Sequence, residues 1–177
     1  MAARFVYSGV VPAAREGEKK VIFEVGPYRI DIDVEKTRAF YERAAKITEN
    51  CRCSGCRNYE AWAEKLSEEP KGVMEKMGVC PEKPAEIFVN DLNDDGSVFY
   101  GGFYHLCGRI LAGRKSSWNA SKQCWDISDL SFGELGKGYR AAFTEDIDLL
   151  EDGFPEPVIQ MEILADIPWL LKGEACF

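Results

Sequence analysis

Three cysteines with the spacing Cys51-x-Cys53-x-x-Cys56, and a second pair, His105-x-Cys107, are the residues of this chain best suited to chemistry. The first group lies where a helix is predicted to begin. The second pair alternates along a predicted strand, so its two side chains share one face. Thiolates and a neutral imidazole are ligands that zinc prefers. The sequence therefore predicts one tetrahedral zinc site, with Cys51 as a spare thiol and these ligands: Cys53, Cys56, His105 and Cys107.

Two alternatives use the same cysteines without a metal. A helix N-terminus lowers the pKa of a thiol, which is the physical basis of the C-x-x-C redox motif and would suit Cys53 and Cys56. However, the preceding residues 44–50 are typical of a helix end and not of the strand found in a thioredoxin unit. The other alternative is a set of separate buried thiols, since cysteine is among the most buried residue types.

A calcium loop is a further hypothesis. Asp91, Asn93 and Asp95, followed by Gly96, match the first half of such a loop, in which alternate side-chain oxygens converge on the ion. The twelfth position is Gly102, where a bidentate glutamate should stand. An Asp-rich hairpin turn explains the same residues without an ion.

Residues 97–111 are rich in aromatic side chains, are interrupted by glycines and are apolar on both alternating faces. This pattern predicts a central strand, in which the glycines mark places where another group approaches the backbone. Aromatic residues of this strand and of a nearby helix form a candidate binding surface or the lining of a cleft, although such residues also build cores. They are Tyr100, Phe103, Tyr104 and Trp62.

The remaining pattern predicts the elements that position these residues. A hairpin spans residues 21–33 around Gly26 and Pro27, and three helices follow: residues 34–47, a second helix capped by Ser54, and a third between Pro70 and Gly78. Further strands are predicted at residues 85–89, 139–144 and 158–163, with loops at residues 113–124 and 131–138. Gln160 and Glu162 are assigned to a solvated strand face.

We therefore predict one α+β domain over residues 1–177, with an antiparallel or mixed sheet and about three helices packed on one face. Residues 1–19 are expected to form a loosely ordered N-terminal segment.

The charge balance limits the classes of partner. Thirty Asp and Glu residues against 22 Lys and Arg residues give a net charge of −8, which argues against binding nucleic acid phosphates and favours a basic protein partner. The apolar patch near the N-terminus is too short to span a membrane and lacks the features of a signal peptide. Together with the odd number of cysteines, this predicts a cytoplasmic protein.

Three motifs resemble those of a family of small bacterial proteins of unknown function. They are Cys53-x-x-Cys56-x-Asn58-Tyr59, the run from Tyr100 to His105, and Phe154-Pro-x-Pro-Val-x-Gln-Met-Glu with Ile167-Pro-Trp169. The resemblance spans roughly residues 20–170 and implies no activity.

Two classes of function are compatible with these patterns. The chain has one histidine, no Gly-x-Ser-x-Gly nucleophile motif and no phosphate-binding glycine loop. We therefore expect a binding or interaction module, of the kind that neutralises a basic protein partner, with a structural zinc ion or thiol cluster. The alternative is a small enzyme that uses the C-x-x-C thiols or paired carboxylates in an aromatic-lined cleft.

Overall fold

The computed structural model describes residues 20–114, 116–121, 124–126 and 130–173. Within these ranges the chain forms an α+β arrangement of a seven-stranded sheet, a separate two-stranded hairpin and four helices, which confirms the predicted fold class. The predicted N-terminal segment, residues 1–19, lies outside the described residues. The elements are β1 Lys20–Val25, β2 Tyr28–Asp33, α1 Val34–Arg43, α2 Ile47–Asn50, α3 Ser54–Ala63, α4 Glu68–Lys76, β3 Glu86–Leu92, β4 Ser97–Ala112, β5 Ser117–Asn119, β6 Cys124–Asp126, β7 Gly133–Gly136, β8 Tyr139–Thr144 and β9 Val158–Pro168.

The long strand β4 is the centre of the sheet, as its two-sided apolar pattern predicts. The strand order is β1-β2-β4-β9-β8-β7, with β3 also paired to β4, and all of these pairs are antiparallel. One edge of β4 pairs with β9 along residues 97–107, while the other edge pairs first with β3 and then with β2. The glycines of β4 permit close packing, because a Cβ at Gly102 would collide with the carbonyl oxygen of Glu86.

Side chains of α1 complete the edge of β4 between the segments paired with β3 and β2. The Tyr41 hydroxyl donates to the carbonyl oxygen of His105 (3.0 Å) and accepts from its N–H (3.1 Å). The Thr37 hydroxyl accepts from the N–H of Cys107 at 3.1 Å. Buried backbone groups that lack a strand partner are therefore satisfied by a helix.

The sheet curves so that its two terminal strands approach each other. A Cβ built on Gly26, in the β1–β2 turn, would lie 2.7 Å from Cα of Gly133 in β7. Gly26 also has φ of +54°, a conformation that glycine adopts without strain. Only glycine satisfies both requirements at this turn.

Helix α3 packs on the face of the sheet that carries the buried tyrosines. The hydroxyl of Tyr59 on α3 is hydrogen-bonded to those of Tyr104 on β4 and Tyr139 on β8, and all three side chains are fully buried. Buried hydroxyls need such partners, so this cluster fixes the helix relative to two strands. None of the helices in the described ranges is long and apolar enough to cross a membrane.

Some predicted boundaries differ from the structure. The helix predicted over residues 34–47 is interrupted, because Ala44 has an extended backbone (ψ 146°) that ends α1 before the single-turn α2 begins. The predicted loop at residues 131–138 contains β7, whose pairing with β8 depends on a tertiary contact. The predicted loop at residues 113–124 includes β5 and the first residue of β6, and its residues 115, 122 and 123 lie outside the described ranges.

Candidate metal centre

Cys51, Cys53 and Cys56 meet where α2 ends and α3 begins. Cys51 follows the last residue of α2, and its N–H donates to the carbonyl oxygen of Ile47 at 2.9 Å. Cys53 has an extended backbone and is the N-cap residue of α3, a role that the sequence assigned to Ser54. Cys56 lies in the first turn of that helix. The reversal between the two helices thus brings the three side chains together, and we call this group the thiol centre.

The geometry of the thiol centre suits one metal ion. All three sulfur atoms lie within 4.8 Å of one another, and the Sγ atoms of Cys51 and Cys53 are 3.4 Å apart. Metal–sulfur bonds of about 2.3 Å in a tetrahedral zinc site separate two sulfur ligands by about 3.8 Å. No fourth His, Cys, Asp or Glu of the described residues joins the group. Three protein ligands would leave the fourth position of a tetrahedral zinc site to water or to a ligand from another molecule.

The three thiols differ in exposure and acidity. Cys53 is exposed, Cys51 is half-buried and Cys56 is buried. Burial raises the pKa of Cys53, but the Cys56 N–H, 3.4 Å from the Cys53 sulfur, and the Cys51 thiol together lower this pKa below its ordinary value. Burial is also the main cause of the strongly raised pKa of Cys56. Cys53 therefore becomes a thiolate at a lower pH than Cys56 does.

A network of hydrogen bonds holds the first turn of α3 in place. The Tyr100 hydroxyl donates to the carbonyl oxygen of Gly55 at 3.1 Å. The buried Asn58 side chain donates to the Tyr100 hydroxyl (3.2 Å) and to the Pro168 carbonyl oxygen (3.3 Å), and it accepts from the Leu170 N–H (2.7 Å). Outer contacts of this kind orient the ligands of a metal site.

The structure does not bring His105 and Cys107 to the thiol centre. His105 alternates with Tyr100 and Tyr104 along β4 and therefore projects from the opposite face to the one on which α3 packs. Its Nε2 contacts the Asp148 carbonyl oxygen (2.9 Å) and Gln160 Oε1 (3.3 Å). The Cys107 thiol lies against the carbonyl oxygen of Glu156 (3.5 Å). Cys51, which was predicted to be a spare thiol, is the third sulfur of the thiol centre, and neither His105 nor Cys107 belongs to it.

His105 instead belongs to a buried polar network that the sequence pattern missed. Gln160 accepts from the N–H of Asp148 (2.8 Å) and donates to Glu162 Oε1 (2.6 Å). His105, Gln160 and Glu162 are all buried, so the assignment of the last two to a solvated face is wrong. Burial raises the pKa of Glu162 and lowers that of His105. The register between β4 and β9 places His105 opposite Gln160, so a correct prediction of this register would have placed the two side chains together.

The predicted aromatic surface is part of the core. Tyr100, Phe103 and Tyr104 are buried and Trp62 is half-buried, with its ring stacked on Tyr139 at 5.6 Å. Their apolar area is therefore already used in folding. Within the described residues, a cleft beside Cys107 is lined by charged side chains, including Asp31, Arg109 and Glu156. Its lining has no aromatic residue.

The residues of the predicted calcium loop stabilise the β3–β4 turn. The Asp95 carboxylate accepts from the N–H and the hydroxyl of Ser97 (2.9 and 2.6 Å), and Asp91 accepts from the N–H of Leu92 (2.8 Å). Asn93 donates to Ser97 Oγ at 2.9 Å. These contacts correspond to the alternative interpretation, a hairpin turn that needs no ion.

No family model matches the chain, and comparisons with curated proteins and with solved structures found no match either. The resemblance to a family of small bacterial proteins therefore stays a prediction, and the thiol centre is the feature from which a function can be argued.

Proposed function

We propose that this protein is a binding module stabilised by one zinc ion at Cys51, Cys53 and Cys56. The observation that carries the proposal is the convergence of three sulfur atoms, all within 4.8 Å of one another. Three neutral thiols gain little from such proximity, whereas three thiolates around a divalent cation are strongly stabilised.

The chemistry of the donors selects the class of metal. Thiolates are soft ligands that favour zinc over calcium or magnesium, which prefer oxygen. The N-terminus of α3 and the Cys56 N–H both point positive charge at the Cys53 sulfur, which favours its thiolate form. The buried Cys56 has a raised pKa, so its deprotonation is coupled to arrival of the metal.

Metal content tests this function directly. Protein purified without chelator should contain one zinc per chain by elemental analysis. Replacing zinc with cobalt should give the sulfur-to-metal charge-transfer band of thiolate ligands. The triple variant Cys51→Ser, Cys53→Ser, Cys56→Ser should lose the metal, whereas Cys80→Ser, which changes a cysteine outside the centre, should retain it. Metal-free wild-type protein that does not bind added zinc would overturn the proposal.

Thiol–disulfide exchange is a second candidate, favoured by the exposure of Cys53 and its lowered pKa beside the buried Cys56. In this reaction the Cys53 thiolate attacks a sulfur of a substrate disulfide, forms a mixed disulfide and expels the first substrate thiolate. Cys56 then loses its proton, attacks the Cys53 sulfur and releases the second substrate thiolate. The protein ends with a Cys53–Cys56 disulfide, and the substrate gains two electrons.

The two candidates give different results with one variant. Cys51→Ser removes a metal ligand but leaves both thiols of the exchange reaction. We expect it to weaken zinc binding strongly and to slow disulfide reduction by the zinc-free protein only slightly, because the Cys56 N–H still lowers the pKa of Cys53 when the Cys51 thiol is lost. If Cys51→Ser retains wild-type zinc affinity, the three-thiolate site is wrong.

A further inference from the structure

The loop between β8 and β9, residues 145–157, combines strong negative charge with two exposed leucines. At its tip, Leu149 is 64% exposed and Leu150 is 44% exposed. Apolar side chains of this size are stabilised when they leave water for a pocket. The thirteen residues contain no lysine or arginine and six carboxylates, which are Glu145, Asp146, Asp148, Glu151, Asp152 and Glu156.

The buried polar network holds this loop on the sheet. The Asp148 N–H donates to Gln160, and the Asp148 carbonyl oxygen accepts from His105. On the other side of the tip, Phe154 is buried, and its ring centre lies 4.5 Å from that of Phe40. Anchors on both sides reduce the ordering entropy that the tip would lose on binding.

The backbone conformation of the tip is strained at Leu149, whose large apolar side chain is exposed to solvent. Leu149 has φ of +48°, which branched residues rarely adopt and which glycine or asparagine would adopt with less strain. The local backbone conformation therefore does not explain why this residue is a leucine.

We propose that residues 148–152 dock into a protein partner whose apolar pocket is surrounded by lysine and arginine. Leu149 and Leu150 fill the pocket, and the flanking carboxylates face the basic rim. The same negative charge would repel nucleic acid phosphates, an anionic lipid surface and the same loop of a second copy. The inference rests on the proposed binding function but not on the zinc ion, because the loop is anchored to His105 and Gln160 on the face of the sheet opposite to the one on which α3 packs.

A random peptide library displayed on phage tests the proposal with a defined probe. Selection on the immobilised full-length protein should enrich peptides that combine lysine or arginine with large apolar residues. Their affinity should fall by about tenfold or more in the double variant Leu149→Ala, Leu150→Ala. It should stay within about twofold in Leu111→Ala, a matched change of a leucine that is 51% exposed at the end of β4. Higher salt should weaken binding to the wild type.

The altered side chains are exposed, so both variants should keep the near-ultraviolet circular dichroism of the wild type. Failure to enrich any peptide would overturn the proposal, as would enriched peptides without basic residues. Equal loss of affinity in the double variant and in Leu111→Ala would also overturn it, because the binding would then not depend on the tip.

Discussion

Tyr41→Phe should destabilise the protein far more than the loss of one exposed hydroxyl would. The hydroxyl bridges the N–H and the carbonyl oxygen of His105, at 3.1 and 3.0 Å, on a stretch of β4 edge where α1 takes the place of a strand. Tyr41 is 4% exposed, so the ring of phenylalanine would keep water away from both groups.

The size of the effect follows from the two backbone groups left without a partner. A buried polar group that loses its hydrogen bond costs about 1–3 kcal/mol, so two such groups should lower the free energy of unfolding by about 2–4 kcal/mol, allowing for partial relaxation. For a chain of this size each kcal/mol lowers Tm by about 2–4 °C, which gives an expected fall of about 4–16 °C.

Denaturant unfolding followed by circular dichroism measures this change, and amide hydrogen exchange should show faster exchange at His105. Tyr28→Phe is the matched control, because the buried Tyr28 hydroxyl lies near backbone groups of Ser131 and Phe143 but makes no hydrogen bond of ordinary geometry within the described residues. Its removal should leave stability within about 0.5 kcal/mol of wild type or raise it. If Tyr41→Phe and Tyr28→Phe have equal effects, the assignment of α1 as the partner of this edge is refuted.

Three further predictions concern the thiol centre and the buried network. Free zinc at about 100 times its Kd should raise the free energy of unfolding by about 2.7 kcal/mol, and Cys53→Ser should abolish this gain in a denaturant titration with and without chelator. In metal-free protein, alkylation of Cys53 should rise at a lower pH than that of a free cysteine, because its pKa is lowered; mass spectrometry that finds Cys56 modified first would contradict the assigned acidities. Because burial raises the pKa of Glu162 in the folded protein, stability should fall as the pH rises from the unfolded pKa through the folded one. Glu162→Gln should remove that fall and be more stable than wild type at neutral pH, while Glu134→Gln, on an exposed side chain, should keep it.

Much of the fold follows from local patterns in the sequence. Alternation in residues 28–32 and glycine at position 26 predict the first hairpin, and the helical spacing of Cys56 and Tyr59 predicts α3. The two-sided apolar pattern of β4 predicts a central strand, because only burial on both faces makes it favourable. These features can be predicted because each is written in the spacing of residues that are close in sequence.

The composition of the thiol centre was decided by the path of the chain between two helices. The sequence identifies Cys53 and Cys56, but Cys51 joins them because α2 ends at the preceding residue and α3 begins three residues after Cys51. His105 is directed away because strand alternation places it on the face opposite to Tyr104. Periodicity predicts that two residues share a face, but the element that packs on that face is determined by contacts between residues distant in sequence.

Tertiary structure alone determines the buried polar network and the hydrogen bonds that α1 side chains make to the edge of β4. Gln160 and Glu162 alternate with apolar residues as solvated positions do, and they are buried because loop residues Asp148 and Phe154 lie over their face of the sheet. Tyr41 reaches an edge 64 residues away in sequence. Such groups satisfy one another only after the chain has folded, so no local pattern in the sequence encodes them.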